Sequence, residues 1–183
     1  MRILLLVLYG AGLRVREALA LDRADVDLDN SWLTVRRTKF YKTQLVPLGP
    51  QLCQALAEYA ELSEAPVPPA GEGVPFFTTR QGTRVYRGTL EAIFQRVRKQ
   101  AGICRADGAR YQPRLHDLRH TFAVHRLTSW YRQGADVQQL LHHLSVYLGH
   151  VHLAGTQVYL SMTPDLLAEA GARFERYARG GKP

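Results

Sequence analysis

The amino-acid sequence predicts a mainly α-helical domain with a small antiparallel β-sheet near its N-terminus, an α+β fold. Apolar residues recur at helical spacing over most of the chain, whereas the stretch from Val26 to Leu48 carries β-forming residues around turn signals. With 183 residues, 46% of them apolar, the chain can bury a core of its own. We therefore expect residues 1–183 to form a single domain.

The first elements place a pair of charged residues on a helix. Ile3 to Tyr9 reads as an apolar core helix that ends at Gly10, and a second, short helix is predicted to begin near Leu13. Arg14 and Glu17 are three residues apart in that second helix and would share one face.

The predicted sheet follows as a meander. Val26 and Leu28 precede a turn at Asp29-Asn30, and further β-formers follow from Trp32. A polar stretch, residues 39–43, would form the tip of the next hairpin.

The middle of the chain is predicted to contain two helices and a loop. Gln51 to Leu62 has helical periodicity, residues 64–75 are rich in proline and glycine, and Phe76-Phe77 reads as a short buried strand. Thr89 to Gln100 reads as a basic amphipathic helix. Its expected inward residues are Leu90, Ile93, Phe94 and Val97.

The last third is predicted to be helical. Leu115 to Tyr131 forms one helix, with core positions that include Leu118, and Asp136 to Leu148 forms another, capped by Asp136 and ended by Gly149. Thr163-Pro164-Asp165 is typical of a helix N-terminus and would open a final helix over residues 163–178.

Composition narrows the choice of partner and compartment. Lys and Arg number 24 against 16 Asp and Glu, so the net charge is +8, which favours a polyanion such as nucleic acid. The first apolar run is too short to span a bilayer, and charged residues follow it where an export signal avoids them. Cys53 and Cys104 lie outside any paired motif and read as reduced thiols. We expect a cytoplasmic protein without a membrane partner.

Several short motifs recur in a fixed order along the chain. Gly12-Leu13-Arg14 begins one that includes Glu17, and His116-Asp117-Leu118-Arg119 places an imidazole and a guanidinium one helical turn apart. His150, the last residue of Leu148-Gly149-His150, comes 31 residues after Arg119, and Tyr159 comes nine residues after His150. Each motif alone is common, so the order and spacing carry the information.

Together these motifs resemble the catalytic domain of the tyrosine recombinases, the phage-integrase family. The resemblance runs from about residue 3 to residue 178. It implies the fold of that catalytic domain and a DNA strand transferase that needs no metal, cofactor or ATP. The long spacing between Arg119 and His150 is similar to that of recombinases of mobile elements.

The resemblance also implies a catalytic set. Its members are Arg14, Lys39, His116, Arg119, His150 and Tyr159. The arginines would grip the phosphate, His116 would assist proton transfer, and His150 would donate a hydrogen bond to the phosphate. Lys39 would protonate the leaving 5′-hydroxyl, with Lys42 as its rival, and Glu17 would orient Arg14 or His116.

Tyr159 would be the nucleophile. A free tyrosine has a pKa near 10, so forming the phenolate at neutral pH costs about 4 kcal/mol, and clustered cations lower that cost. Tyr147 is a competitor, but it lies on the apolar side of its helix and should pack. The tyrosine would attack the scissile phosphate, form a 3′-phosphotyrosyl link and free a 5′-hydroxyl.

Other chemistries fit the sequence poorly. Neither the glycine-rich loop of nucleotide hydrolases nor the G-x-S-x-G turn of serine hydrolases is present. Histidines could suggest a metal, but no nearby cysteine completes a zinc set. These histidines are His142, His143, His150 and His152.

The resemblance implies double-stranded DNA as partner and a tetramer on that DNA. Residues 163–178 would be the element that docks on a neighbouring protomer, or else would pack on their own core. Family members also carry an N-terminal core-binding domain, which we expect to be absent here, so DNA binding should be weak and sensitive to salt. Two alternatives remain open: a DNA-binding remnant that does not recombine, and a nicking-closing enzyme of the type IB topoisomerase kind.

Overall fold

The computed structural model describes residues 1–36, 43–62, 73–150, 152, 154–157, 167–172 and 175. The chain divides into two compact units, Met1–Arg119 (unit 1) and His120–Pro183 (unit 2). The division falls inside a helix that carries the H-x-x-R motif.

Unit 1 begins with two helices that form part of its core. Helix α1 spans Arg2–Gly10 and buries Leu4, Val7 and Leu8. Helix α2 spans Val15–Ala20 and so starts two residues later than the sequence predicts. The reason is that Arg14 has an extended backbone, with φ −70° and ψ 147°, and lies at the N-cap position rather than within the helix.

The predicted meander is present as three antiparallel strands. They are β1 (Val26–Asp27), β2 (Trp32–Val35) and β3 (Gln44–Pro47), in the order β1-β2-β3. Leu33 pairs with Val46 and both are buried, so one face of the sheet contributes to the core.

The first turn of the meander is held by a side chain. Asp27 accepts hydrogen bonds from the backbone N and from Nδ2 of Asn30, at 2.9 and 2.8 Å. The side-chain bond is the main cause that lowers the pKa of Asp27. Lys39 and its rival Lys42 lie outside the described residues.

Two helices and a buried aromatic pair complete the scaffold of unit 1. Helix α3 spans Pro50–Leu62 and helix α4 spans Arg87–Gln100. Phe76 and Phe77 are buried as predicted, but they form a bend rather than a strand, because only single bridges flank them, from Asp22 to Pro75 and from Thr78 to Arg84. Their rings pack against Tyr59, with centroids 5.6 and 5.5 Å away. Burial therefore comes from aromatic packing instead of a sheet.

Two predictions of inward positions need correction. Val97 on α4 is exposed, because only the face that carries Leu90 meets the core. Leu118 is half-buried rather than part of the core.

Unit 2 is built on helices packed around one apolar cluster. Helix α5 spans Leu115–Arg132 and begins in unit 1, α6 spans Val137–Tyr147, and the short α7 spans Ala154–Gln157. The buried cluster consists of Phe122, Ala123, Val124, Leu127, Val137, Leu141, Leu144 and Leu148. Tyr147 packs against it and stacks on Phe122 at 5.5 Å, as predicted for a structural tyrosine.

The ends of α6 agree with the predicted caps. The side chain of Asp136 accepts hydrogen bonds from the backbone N of Gln138 and Gln139, at 3.0 and 3.2 Å. Gly149 ends the helix with a φ of 58° in the left-handed region.

The C-terminal segment is described in part. Residues 167–172 and 175 are helical, within the helix predicted over residues 163–178, and the rest of that helix lies outside the described residues. Nε of Arg132 donates to Oε1 of Glu169 at 2.8 Å. None of the helices in the described ranges is long and apolar enough to cross a membrane.

Candidate active site

The two candidate arginines of unit 1 meet at one carboxylate. Nη1 of Arg14 donates to Oε1 of Glu17 at 2.8 Å, and Nη1 of Arg119 lies 3.9 Å from Oε2 of the same side chain. Glu17 therefore lies between two guanidiniums that are 105 positions apart in the sequence. Of the two partners expected for Glu17, the structure shows the contact with Arg14, and it adds the contact with Arg119.

Local structure explains how Glu17 reaches Arg14. Glu17 is the third residue of α2, and its Oε2 accepts a hydrogen bond from the backbone N of Arg14 at 2.8 Å. This is the glutamate half of a capping box, which satisfies one of the backbone groups left open at a helix start. The same carboxylate thus caps the helix and holds the arginine side chain.

Arg119 is anchored by the turn between α1 and α2. Its Nη1 donates to the backbone O of Gly12 at 2.8 Å, and Gly12 has a φ of 61°, which a glycine adopts without strain. Arg119 is only 3% exposed. A guanidinium so buried needs a carboxylate and a carbonyl around it, because an unpaired buried charge costs several kcal/mol.

His116 is exposed in the first turn of α5, one turn before Arg119. With Arg14 it lines a groove of about 610 Å³ in unit 1. The charged side chains of this groove, besides His116, are Arg14, Arg16, Arg87, Arg98, Arg114 and Glu91. Five guanidiniums against one carboxylate make its wall strongly cationic.

Several groove residues hold each other in place. Nη1 of Arg98 donates to Oε1 of Gln112 at 3.1 Å, while the guanidiniums of Arg114 and of Arg110, a neighbour outside the groove lining, lie over the Tyr111 ring at 5.6 and 5.2 Å. The basic helix predicted over Thr89 to Gln100 includes Arg98, but the sequence does not single out Tyr111 or Gln112. No pattern in the sequence marks a loop residue as a groove wall.

His150 lies in unit 2, directly after α6. Its backbone N donates to Ser145 O at 3.0 Å, and the backbone N of Gly149 donates to Val146 O at 2.9 Å. These two bonds form a Schellman motif, with glycine at the left-handed position and His150 as the next residue. The Leu-Gly-His sequence is thus a helix stop that fixes the backbone of the histidine.

The His150 ring is held by the following segment. Its Nδ1 lies 2.7 Å from Oγ1 of Thr156, a side chain that is 0% exposed. Sequence reasoning had missed Thr156, although its position three residues before Tyr159 could have drawn attention to it.

The remaining candidate residues are a lysine and a tyrosine of the catalytic set and the two histidines of α6. Lys39 and Tyr159 lie outside the described residues. His142 and His143 are exposed on α6 and lie edge to face at 6.4 Å. Within the described ranges, no three or more metal-binding side chains come together.

Comparison with known proteins identifies the family. The model of the phage integrase family matches residues 1–165. The chain belongs to the phage integrase family. Its first motif, its H-x-x-R helix and its Leu-Gly-His turn all lie within the matched range.

Similar proteins include named integrases and recombinases. A putative integrase/recombinase, y4rB of Sinorhizobium fredii, is 41% identical over 166 residues, which cover 91% of this chain and 52% of the relative. The tyrosine recombinase XerC of Chlorobaculum parvum is 36% identical over 172 residues, covering 92% and 47%. This phage-integrase chain therefore spans about half the length of the curated relatives it matches.

A solved structure supports the fold. The XerA recombinase crystal structure matches with a TM-score of 0.70 and 29% identity, over 92% of this chain and 55% of that one. The predicted catalytic-domain fold of a tyrosine recombinase, mostly helical with a small antiparallel sheet, is confirmed.

Proposed function

We propose that this phage-integrase chain is the catalytic domain of a site-specific tyrosine recombinase that cleaves and rejoins double-stranded DNA through a 3′-phosphotyrosyl intermediate. The observation that carries the proposal is the pair of guanidiniums, Arg14 and Arg119, held on one carboxylate beside a cationic groove. Family membership and the order of motifs support the same reaction.

The proposed chemistry is phosphoryl transfer by positioning and charge. The oxygen of Tyr159 attacks the scissile phosphorus, the bond to the 5′-oxygen breaks, and the leaving oxygen takes a proton from Lys39. Arg14 and Arg119 neutralise the non-bridging oxygens, and guanidiniums suit this because they donate two parallel bonds. A 5′-hydroxyl then reverses the step, and the bond energy kept in the protein–DNA link makes ATP unnecessary.

Proton transfer and hydrogen bonding fall to the histidines. His116 is exposed in the first turn of its helix, so its ring can reach a substrate and exchange protons with it. His150 donates a hydrogen bond to the phosphate. No metal ion or cofactor enters this scheme.

The groove supports DNA as the partner. Its five arginines, Arg14 among them, line it together with His116, and such a group of guanidiniums suits the phosphates that flank a cleavage point. We propose that Arg114, which is 62% exposed, contacts one of those phosphates. Assembly as a tetramer on DNA, with residues 163–178 as the docking element, is part of the same proposal, as is a cytoplasmic location.

A covalent trap tests the reaction. The protein is incubated with a pool of nicked duplexes, so that a single wrong target sequence does not hide activity, and is then run on denaturing gels. We expect a DNA-linked band in the wild type and none in Tyr159→Phe. Tyr147→Phe is the matched control, since phenylalanine keeps the ring that stacks on Phe122.

Each result discriminates among the candidate functions. A band that survives in Tyr159→Phe and disappears in Tyr147→Phe would contradict the assignment of the nucleophile. Relaxation of supercoiled plasmid without recombinant product would favour a nicking-closing enzyme. DNA binding without any band would favour a non-recombining remnant.

A further inference from the structure

We infer that Thr156 is a positioning residue for His150: its hydroxyl donates to Nδ1 and so keeps the ring proton on Nε2, where it can be donated to the phosphate. This inference rests on the proposed role of His150. Thr156 has no place in the catalytic set read from the sequence, and its role comes from contacts within unit 2.

The first step is the geometry of the pair. Oγ1 of Thr156 and Nδ1 of His150 are 2.7 Å apart, a distance at the short end of the hydrogen-bond range. Thr156 is 0% exposed, so water does not compete for its hydroxyl. A buried hydroxyl without a partner destabilises the fold, and this bond avoids that loss.

The direction of the bond follows from counting protons. A hydroxyl has one proton to donate, and within the part of the chain that the structure describes, Nδ1 of His150 is the acceptor within reach of Thr156. If Nδ1 instead carried the ring proton, the buried hydroxyl proton would have no such acceptor. Donation from threonine to Nδ1 is therefore the favoured arrangement, and a neutral ring that accepts at Nδ1 carries its proton on Nε2.

The chemistry of the partner is what makes it useful. A carboxylate at Nδ1 would hold the proton there and turn Nε2 into an acceptor, the arrangement that suits a general base. A hydroxyl can instead donate to Nδ1 and leave the ring proton on Nε2. It can also accept from Nδ1 when the ring is protonated, so Nε2 remains a donor in both charge states.

The ring is confined from other sides as well. A Cβ placed on Gly155 would lie 3.4 Å from Nδ1 and 3.5 Å from Cγ of His150, which shows that the ring lies directly against the backbone of α7. The backbone of His150 is fixed by the Schellman motif that ends α6. The hydroxyl thus restricts the remaining motion of the side chain, the rotation of the ring about the Cβ–Cγ bond.

The test combines a spectrum with the covalent trap. Long-range ¹H–¹⁵N spectra of the full chain report the protonation of each ring nitrogen, and the His150 signals are assigned from their loss in His150→Gln. Spectra are taken over a range of pH, and those of the fully neutral ring are compared. In Thr156→Val, which keeps the shape and removes the hydroxyl, we expect the two nitrogen shifts of His150 to converge as the tautomers mix.

The same variants are assayed for the DNA adduct. We expect Thr156→Val to lower the rate of adduct formation about tenfold, the lower end of the range found when a partner that orients a metal-binding histidine is removed. Thr156→Ser keeps the hydroxyl and should restore both the spectrum and most of the rate.

Thr128→Val is the matched control. Thr128 is also buried in unit 2, and its Oγ1 donates to a backbone carbonyl, Val124 O, at 3.0 Å, whereas Oγ1 of Thr156 contacts a histidine ring. This variant loses a buried hydroxyl of the same kind and should leave the His150 spectrum and the adduct rate unchanged.

Three results would overturn the inference. One is an unchanged His150 spectrum in Thr156→Val, another is an adduct rate within twofold of wild type, and the third is an equal loss of rate in Thr128→Val. The spectrum does not depend on DNA chemistry. A wild-type protein that forms no adduct with any substrate would therefore contradict the proposed recombinase reaction, while the spectrum would still decide the hydrogen bond.

Discussion

Helices α2 and α5 begin with the same kind of N-terminal cap, but the surroundings of the two caps differ. In each, an arginine precedes the helix, and an acidic residue three positions later accepts a hydrogen bond from the backbone N of that arginine, at 2.8 Å for Arg14–Glu17 and 2.8 Å for Arg114–Asp117. Both acids cap their helix and both form an ion pair with the arginine.

Burial separates the two starts. The Arg14 and Glu17 side chains are 28% and 10% exposed and 2.8 Å apart, whereas those of Arg114 and Asp117 are 62% and 34% exposed and 3.6 Å apart. Arg119 approaches Glu17 as well. The first pair is thus a fixed part of a charged cluster, while the second is a solvated pair of the kind that contributes little to stability. The same Arg-x-x-acid sequence therefore belongs to the candidate active site at the start of α2 and to a solvent-exposed cap at the start of α5.

Removing the two acids tests this difference most directly. We expect Glu17→Ala to lower the free energy of unfolding by about 3 kcal/mol, because it leaves the buried Arg119 without its carboxylate. Asp117→Ala should cost about 1 kcal/mol, the value of a helix cap. Urea denaturation followed by circular dichroism measures both. Equal losses would mean that burial does not distinguish the two helix starts.

Neutralising the acids without removing them separates capping from charge. Glu17→Gln keeps an oxygen that can cap α2 but loses the charge between Arg14 and Arg119. We expect about a tenfold slower adduct formation, since a shift of about 1.4 kcal/mol in positioning or charge gives that factor. Asp117→Asn should stay within twofold of wild type in the same gel assay. A rate unchanged by Glu17→Gln would show that capping alone explains Glu17.

Two helices of unit 2 end in the same motif. Gly134 and Gly149 both follow a helix with a left-handed backbone, φ 71° and 58°, and both form the two bonds of a Schellman motif. Alanine at either position should cost about 1 kcal/mol in thermal or urea unfolding, because a side chain is strained in that conformation. Only Gly149→Ala should also slow adduct formation, since only there is the next residue a proposed catalytic one. Slower adduct formation in Gly134→Ala would point to general strain instead.

Substitution of the exposed Arg114 has the smallest expected effect on stability. Arg114→Gln should change the free energy of unfolding by less than about 0.5 kcal/mol, as is usual for a surface substitution. It should nevertheless reduce the slope of log affinity against log salt by about 1, because one phosphate contact is lost. Arg80→Gln is the control, since Arg80 is exposed and does not line the groove. An equal change of slope in both variants would assign the effect to net charge.

Much of the fold was predictable from local patterns. The helices α1, α3, α4, α5 and α6, the meander and the caps of α6 follow from apolar periodicity, β-forming residues and residues such as Asp136 and Gly149. The errors about buried residues have one cause. Phe76-Phe77 and Val97 were placed from their chemistry, but only packing partners decide whether a buried pair joins a sheet or whether an apolar side chain meets a core.

For the candidate site, too, the sequence predicts some features and the tertiary structure decides others. By itself the sequence determined the family, the order of the motifs and the identity of the candidate residues, because these depend on spacing along the chain. Only the tertiary structure decided that Glu17 touches two arginines, that Arg119 is anchored on Gly12, and that Thr156 holds the ring of His150. Burial and contacts between distant residues set the energies of these pairs, and neither is encoded in a local pattern.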